Sequence, residues 1–80
     1  MKLALYKKDT CPYCQKVLSA ILAQERTDVE LHDIVTSEED LNYLIQVGGK
    51  RQVPCLFIDG KPLYESSDIV AWLSTHPQAI

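Results

Sequence analysis

Glycine and proline are scarce in this 80-residue chain, three and four residues respectively, so it contains no linker or low-complexity stretch. No apolar run reaches the length of a bilayer span, and the start MKLALYKKDTC has neither a long apolar segment nor a small-residue cleavage site. A cytoplasmic protein without a membrane partner is expected. Basic charge is in deficit, eight Lys and Arg against eleven Asp and Glu, whereas nucleic-acid binders usually carry a basic stripe. Nucleic acid is therefore not an expected partner. Cysteines number three, an odd set with one close pair. That makes a poor disulfide framework and suits a compartment where thiols stay reduced until they react.

What remains is the composition of a globular protein, 46% hydrophobic and 24% charged. Residues 1–80 are expected to form one domain, burying about two-thirds of the surface its unfolded chain exposes. Charge is uneven: Lys7, Lys8 and Lys16 flank the first cysteine, while Asp28, Glu30, Asp33, Glu38, Glu39 and Asp40 fill the middle. This asymmetry favours an anionic small ligand near the cysteines.

The pattern of apolar residues predicts a β-α-β-α-β-β-α order. Lys2 to Lys7 reads as a buried strand. A helix from Pro12 to about Arg26 would bury Val17, Leu18, Ile21 and Leu22. Val29 to Ile34 alternates as a second, half-buried strand. Thr36-Ser37-Glu38-Glu39 suggests a capping box before a helix that buries Leu41, Leu44 and Ile45 and stops at Gly48-Gly49. Val53 to Asp59 and Pro62 to Tyr64 read as a hairpin turning at Gly60-Lys61. The last helix starts around Ser66 to Asp68 and buries Ile69, Val70 and Leu73. Pro54 is the anomaly, because proline is normally expelled from a central strand.

Cys11-Pro12-Tyr13-Cys14 stands where the first strand gives way to the first helix, with Pro12 at the position where its missing N–H costs nothing. Cys11 is then the cap residue, accepting from the Tyr13 and Cys14 amides and lying in the positive end of the helix dipole. Such a thiol has a depressed pKa. Cys14 shares its helix face but lacks the cap position, so it should stay protonated. The expected chemistry is attack on a disulfide by Cys11 and resolution of the mixed disulfide by Cys14 or a second thiol. Zinc usually takes four ligands, and the other candidates, Cys55, His32 and His76, are not paired at ligand spacing, so no metal is expected.

Tyr6 to Cys14 (YKKDTCPYC), followed about forty residues later by Val53-Pro54 and Leu56-Phe57-Ile58-Asp59-Gly60, resembles the glutaredoxin family over essentially the whole chain. The resemblance implies a thioredoxin-like fold, a four-stranded mixed sheet flanked by three helices. It also implies glutathione as reductant and co-substrate, protein disulfides and glutathione mixed disulfides as substrates, and a monomer. In similar proteins the Val53–Pro54 bond is cis and faces the cysteines, which leaves the Val53 backbone free to bond an extended thiol ligand. Lys8 matches a lysine that holds glutathione's glycyl carboxylate, and Tyr13 would line the groove. Where such proteins usually carry Gly-Gly before the last helix, this chain has Tyr64-Glu65. Glu65-Ser66 instead resembles the acidic-Ser pair of the N-terminal domain of glutathione S-transferases. Ser66, Ser67 and Asp68 at that helix start are then expected to hold the γ-glutamyl end.

Two alternatives stay open: a redoxin reduced by thioredoxin reductase, and a carrier of an iron–sulfur cluster held by Cys11 and glutathione. Pro12 and the second thiol weigh against the carrier. Cys55 is read as a buried small hydrophobe, Trp72 as packing, and neither histidine as a general base.

Overall fold

A computed structural model describes residues 1–78. The strands are β1 (Leu3–Lys7), β2 (Val29–Asp33), β3 (Cys55–Ile58) and β4 (Lys61–Leu63), and the helices α1 (Pro12–Ala23), α2 (Glu38–Gly48) and α3 (Ser66–Thr75). The four strands form one sheet in the order β2-β1-β3-β4. β1 runs parallel to β2 and antiparallel to β3, which pairs antiparallel with β4. The expected α/β thioredoxin-like architecture is what the chain adopts.

Alternation along β1 and β3 divides the core between the two sheet faces. Leu3, Leu5 and Leu56 meet Val17 of α1 and Ile69 and Leu73 of α3. Ala4, Tyr6, Cys55 and Phe57 point the other way and meet Leu44 of α2. Truncating a fully buried leucine such as Leu5 or Leu56 to alanine costs about 2–5 kcal/mol, so this packing fixes where the ends of β1 and β3 lie. Those ends carry the candidate site.

Several boundaries differ from the sequence expectation. The hairpin turns at Asp59-Gly60, not Gly60-Lys61: both have positive φ, 50° and 85°, the pairing a two-residue type I′ turn requires. Val53 and Pro54 precede β3, so Pro54 never enters the ladder, and the Val53–Pro54 bond is cis. Ser37 caps α2 through its Oγ, which accepts the Asp40 N–H at 3.2 Å. The cap is thus Ser37, and the expected pairing of Thr36 with Glu39 does not form it.

Leu22 is 79% exposed and Ile45 40%, contrary to the expected inner stripes, and Val70 is only half-buried. Each helical residue turns about 100°, and Leu22 lies more than a quarter-turn from the stripe of Cys14, Val17 and Ile21 that meets the sheet. Arg26, beyond the end of α1, is buried. Its guanidinium makes two bonds to Asp28 and donates to the carbonyls of Leu73 and His76 at 3.0 and 2.7 Å, tying α1 to the end of α3.

Candidate functional site

β1 ends at Lys7, and the Cys11 N–H closes a turn onto the Lys8 carbonyl at 3.1 Å before Pro12 opens α1. Cys11 is the N-cap, with extended backbone angles (φ −87°, ψ 120°). Its side chain makes no cap hydrogen bond of full geometry, yet the Tyr13 and Cys14 amides are directed at the sulfur and lower its pKa, as the cap position implies.

Partial burial pushes the Cys11 thiol up, but the Cys14 and Tyr13 amides, the Cys14 thiol and the Lys8 charge outweigh it. The Cys11 pKa is lowered overall. Cys14, one turn along, is wholly buried, and its Sγ lies 3.4 Å from the Lys8 N–H, which it accepts. Burial pushes its pKa up to about 11, and the negative charge and hydrogen bonding of Cys11 push the same way. One helix turn therefore carries an ionisable, accessible thiol beside a protonated, enclosed one. That is the asymmetry the C-P-Y-C position suggested.

A groove of about 560 Å³ opens at the start of α1, whose N-cap is Cys11, lined by Tyr13, Lys16, Gln52, Val53, Pro54, Glu65, Ser66 and Ser67; neither Cys11 nor Cys14 is among these lining residues. One wall is the segment before β3 and the other is the start of α3. At that start Ile69 is the residue whose N–H returns to the Glu65 carbonyl, at 3.0 Å. The preceding amides, Ser66 to Asp68, lie in the first turn and have no helical partner. Glu65 itself has φ 69°, a left-handed conformation that glycine adopts freely and other residues at a cost of about 1–2 kcal/mol.

The expected ligand residues divide. Tyr13, Val53, Pro54, Ser66 and Ser67 line this groove. Lys8 borders a neighbouring depression of about 450 Å³ with Ile34, Val35, Leu41, Arg51 and Val53, so Val53 is the ridge between the two. Asp68 is exposed one residue beyond the groove lining. Lys7 pairs with Asp9 and Asp33, and of the three lysines near Cys11 it is the one that lines neither the groove nor the depression. Lys16 enters the sequence reading only through its charge near Cys11, and Gln52 and Arg51 follow Gly48-Gly49 in a segment that reads only as a loop.

The remaining candidates for zinc stand apart. Cys55 is buried, its pKa pushed up to about 11 by that burial. His32 stacks on Tyr6 at 4.6 Å, and its Nδ1 lies 3.0 Å from Asp40. His76 stacks on Trp72 at the end of α3. Among the described residues no group of three or more His, Cys, Asp and Glu converges as metal ligands would, and no helix is long and apolar enough to cross a membrane.

Residues 3–63 match the family model described as Glutaredoxin. The chain belongs to the glutaredoxin family. Glutaredoxin-C4 of Arabidopsis thaliana is 37% identical over 71 residues, which cover 86% of this chain and 53% of that protein. The chain thus spans about half the length of this curated relative. Among solved structures, a thioredoxin-like protein superposes with a TM-score of 0.75 at 20% identity, over 92% of this chain and 97% of that one. Glutathione transferase E6 of Drosophila melanogaster superposes with a TM-score of 0.76 at 26% identity, over 99% of this chain and 36% of that one. The glutaredoxin sequence signal and the thioredoxin-like fold agree.

Proposed function

We propose that the chain is a glutathione-dependent thiol–disulfide oxidoreductase in which Cys11 is the nucleophile and Cys14 the resolving thiol. The observation that carries this reading is the opposite bias of two thiols one helix turn apart, Cys11 toward thiolate and Cys14 toward thiol. Family membership and the thioredoxin-like fold support it.

In the first step the Cys11 thiolate attacks one sulfur of a substrate disulfide. That S–S bond breaks, a Cys11 mixed disulfide forms, and the departing sulfur leaves as a thiolate that takes a proton. Cys11 then carries no charge. Two of the influences that hold Cys14 protonated come from Cys11 itself, so they vanish at this point and the Cys14 proton becomes easier to lose. The Cys14 thiolate attacks the Cys11 sulfur, forming the Cys11–Cys14 disulfide and releasing the second substrate thiol. Two glutathione molecules supply the returning electron pair. One opens the Cys11–Cys14 bond to leave glutathione on Cys11, and the second removes it as oxidised glutathione.

The groove beside Cys11 supports glutathione as the ligand. Its Val53 wall lies outside the sheet ladder, and the partnerless first-turn amides of α3, with the Ser66 and Ser67 hydroxyls, offer donors for the γ-glutamyl carboxylate. A coupled assay run in parallel with glutathione plus its reductase and with thioredoxin reductase tests the proposal. Turnover in the first is expected. Turnover only in the second would overturn it.

A further inference from the structure

Tyr64 follows the last strand, β4, and directly precedes Glu65, yet the chemistry above assigns it nothing. Its hydroxyl donates to the Lys50 carbonyl at 3.2 Å, and the Lys50 ammonium sits 4.4 Å from the centre of its ring. The ring packs on the cluster of Tyr6, Leu44, Cys55 and Phe57, so its direction is fixed from below. The hydroxyl is seated on Gly48, the last residue of α2. A Cβ there would overlap the phenol oxygen, while its next contacts, with Phe57 and Leu44, would be at 3.4 and 3.5 Å.

These contacts join the two walls of the groove. Lys50 opens the segment that continues through Gln52, Val53 and Pro54 to β3, and Tyr64 is one bond from Glu65, Ser66 and Ser67 on the opposite side. A second tie, Gln52 Nε2 to Glu65 Oε1 at 3.2 Å, is solvent-exposed. Water reaches the Tyr64 hydroxyl bond as well, but the half-buried Tyr64 ring is held by its packing on the cluster below, which the Gln52–Glu65 pair lacks.

We propose that Tyr64 is a positioning residue that sets the separation of the groove walls beside Cys11 by fixing the 49–54 segment against the start of α3. It touches neither sulfur, so it acts on the binding of the thiol ligand and leaves the nucleophile alone. The inference rests on reading the groove as the ligand site.

Two variants approach the contact from opposite ends. Tyr64→Phe deletes the hydroxyl and keeps the ring. Gly48→Ala keeps the hydroxyl but displaces it. Each is expected to raise KM for a glutathione–peptide mixed disulfide about three- to tenfold, with kcat within about twofold and the rate of Cys11 alkylation by iodoacetamide unchanged. Nuclear relaxation at the Gln52 and Val53 amides should show added motion in both variants. Gly48→Ala placed on Tyr64→Phe should add almost nothing, because the atom it strikes is gone.

Unchanged KM and unchanged relaxation in folded Tyr64→Phe would overturn the proposal, as would effects of the two variants that simply multiply. If the wild-type chain fails to saturate with the mixed disulfide, the glutathione reading falls. The relaxation measurement then still decides the role of Tyr64, since it needs no ligand.

Discussion

At the start of α2, Ser37 lies in extended conformation and closes its cap by accepting the Asp40 N–H. At the starts of α1 and α3, Cys11 and Glu65 occupy the same structural position, and neither side chain makes a cap bond. The two open starts contribute Tyr13 and Lys16, and Glu65, Ser66 and Ser67, to a single groove; the filled one contributes nothing to it. A helix whose first-turn donors are satisfied by its own side chain gains stability and has little left to offer a ligand. One that leaves them open presents a partial positive charge, which at α1 stabilises a thiolate and at α3 suits a carboxylate. The local cost is modest because open first-turn amides can bond water.

Replacing Cys11 tests the contrast most severely. Cys11→Ser puts a preferred capping residue into backbone angles suited to a cap (φ −87°, ψ 120°). Disulfide reduction should fall by at least about a thousandfold, since no other accessible thiol with lowered pKa replaces it. Thermal stability should hold or rise by up to about 1 kcal/mol. Cys14→Ser should retain reduction of glutathione mixed disulfides while losing the two-thiol route. Alkylation at mildly acidic pH, with the site read by mass spectrometry, should label Cys11 first; labelling of Cys14 first would reverse the assignment.

Much of this division was legible in the residues. Pro12 between strand and helix marked Cys11 as a cap, and apolar periodicity placed every element in order. What was not legible depends on partners distant in sequence. Arg26 reads as a helix-ending charge, yet it is buried because carbonyls at Leu73 and His76 come to it. Tyr64 reads as a strand residue, and nothing local announces Gly48 and Lys50 beneath it. Likewise Ile45 belongs to the apolar stripe by spacing, but a single helix covers its sheet face and the flanks of that helix stay in water. Lys8 and Asp68 were grouped with the groove by resemblance, and the fold sets Lys8 beyond the Val53 ridge and Asp68 just outside the lining.

The buried thiols give the next effect, in stability. Burial raises Cys14 and Cys55 from 9.0 to about 11. A group whose folded pKa exceeds its unfolded value stabilises the fold fully below the unfolded pKa and loses that contribution as pH rises through the folded one. Stability should therefore fall between about pH 9 and pH 11, by on the order of 2 kcal/mol per thiol. Tyr6 and Tyr64, pushed up to about 12 by burial, extend the loss further. Cys11 has the opposite sign: its lowered pKa adds stability that is lost on acidification through the folded value. Melting temperature against pH should show the alkaline fall, shallower in Cys55→Ala. An equal slope in that variant would mean that Cys55 ionises as freely folded as unfolded.

A smaller effect belongs to Asp68, exposed at the open start of α3. If its carboxylate meets the α-ammonium of a γ-glutamyl group leaning out of the groove, Asp68→Ala should raise the glutathione KM by up to about tenfold. Cys11 alkylation should not change. An unaltered KM in the folded variant would confine recognition to Ser66, Ser67 and the groove walls.

The least effect on chemistry is expected at the closed start, Ser37. Removing its Oγ in Ser37→Ala leaves the Asp40 N–H to water and costs about 1 kcal/mol, which for a domain of this size lowers the melting temperature by roughly 4–8 °C. The backbone bond from Leu41 N–H to the Ser37 carbonyl, 3.2 Å, survives the change, so α2 should fray without dissolving. Ser37 borders neither the groove nor the depression beside it. KM, kcat and the alkylation rate of Cys11 should accordingly match wild type at temperatures where both proteins are folded. A shift in KM would show that the start of α2 is coupled to the groove, most directly through Leu41 and the segment that leaves α2 at Gly49, and the separation between capping for stability and open amides for chemistry would fail at that point.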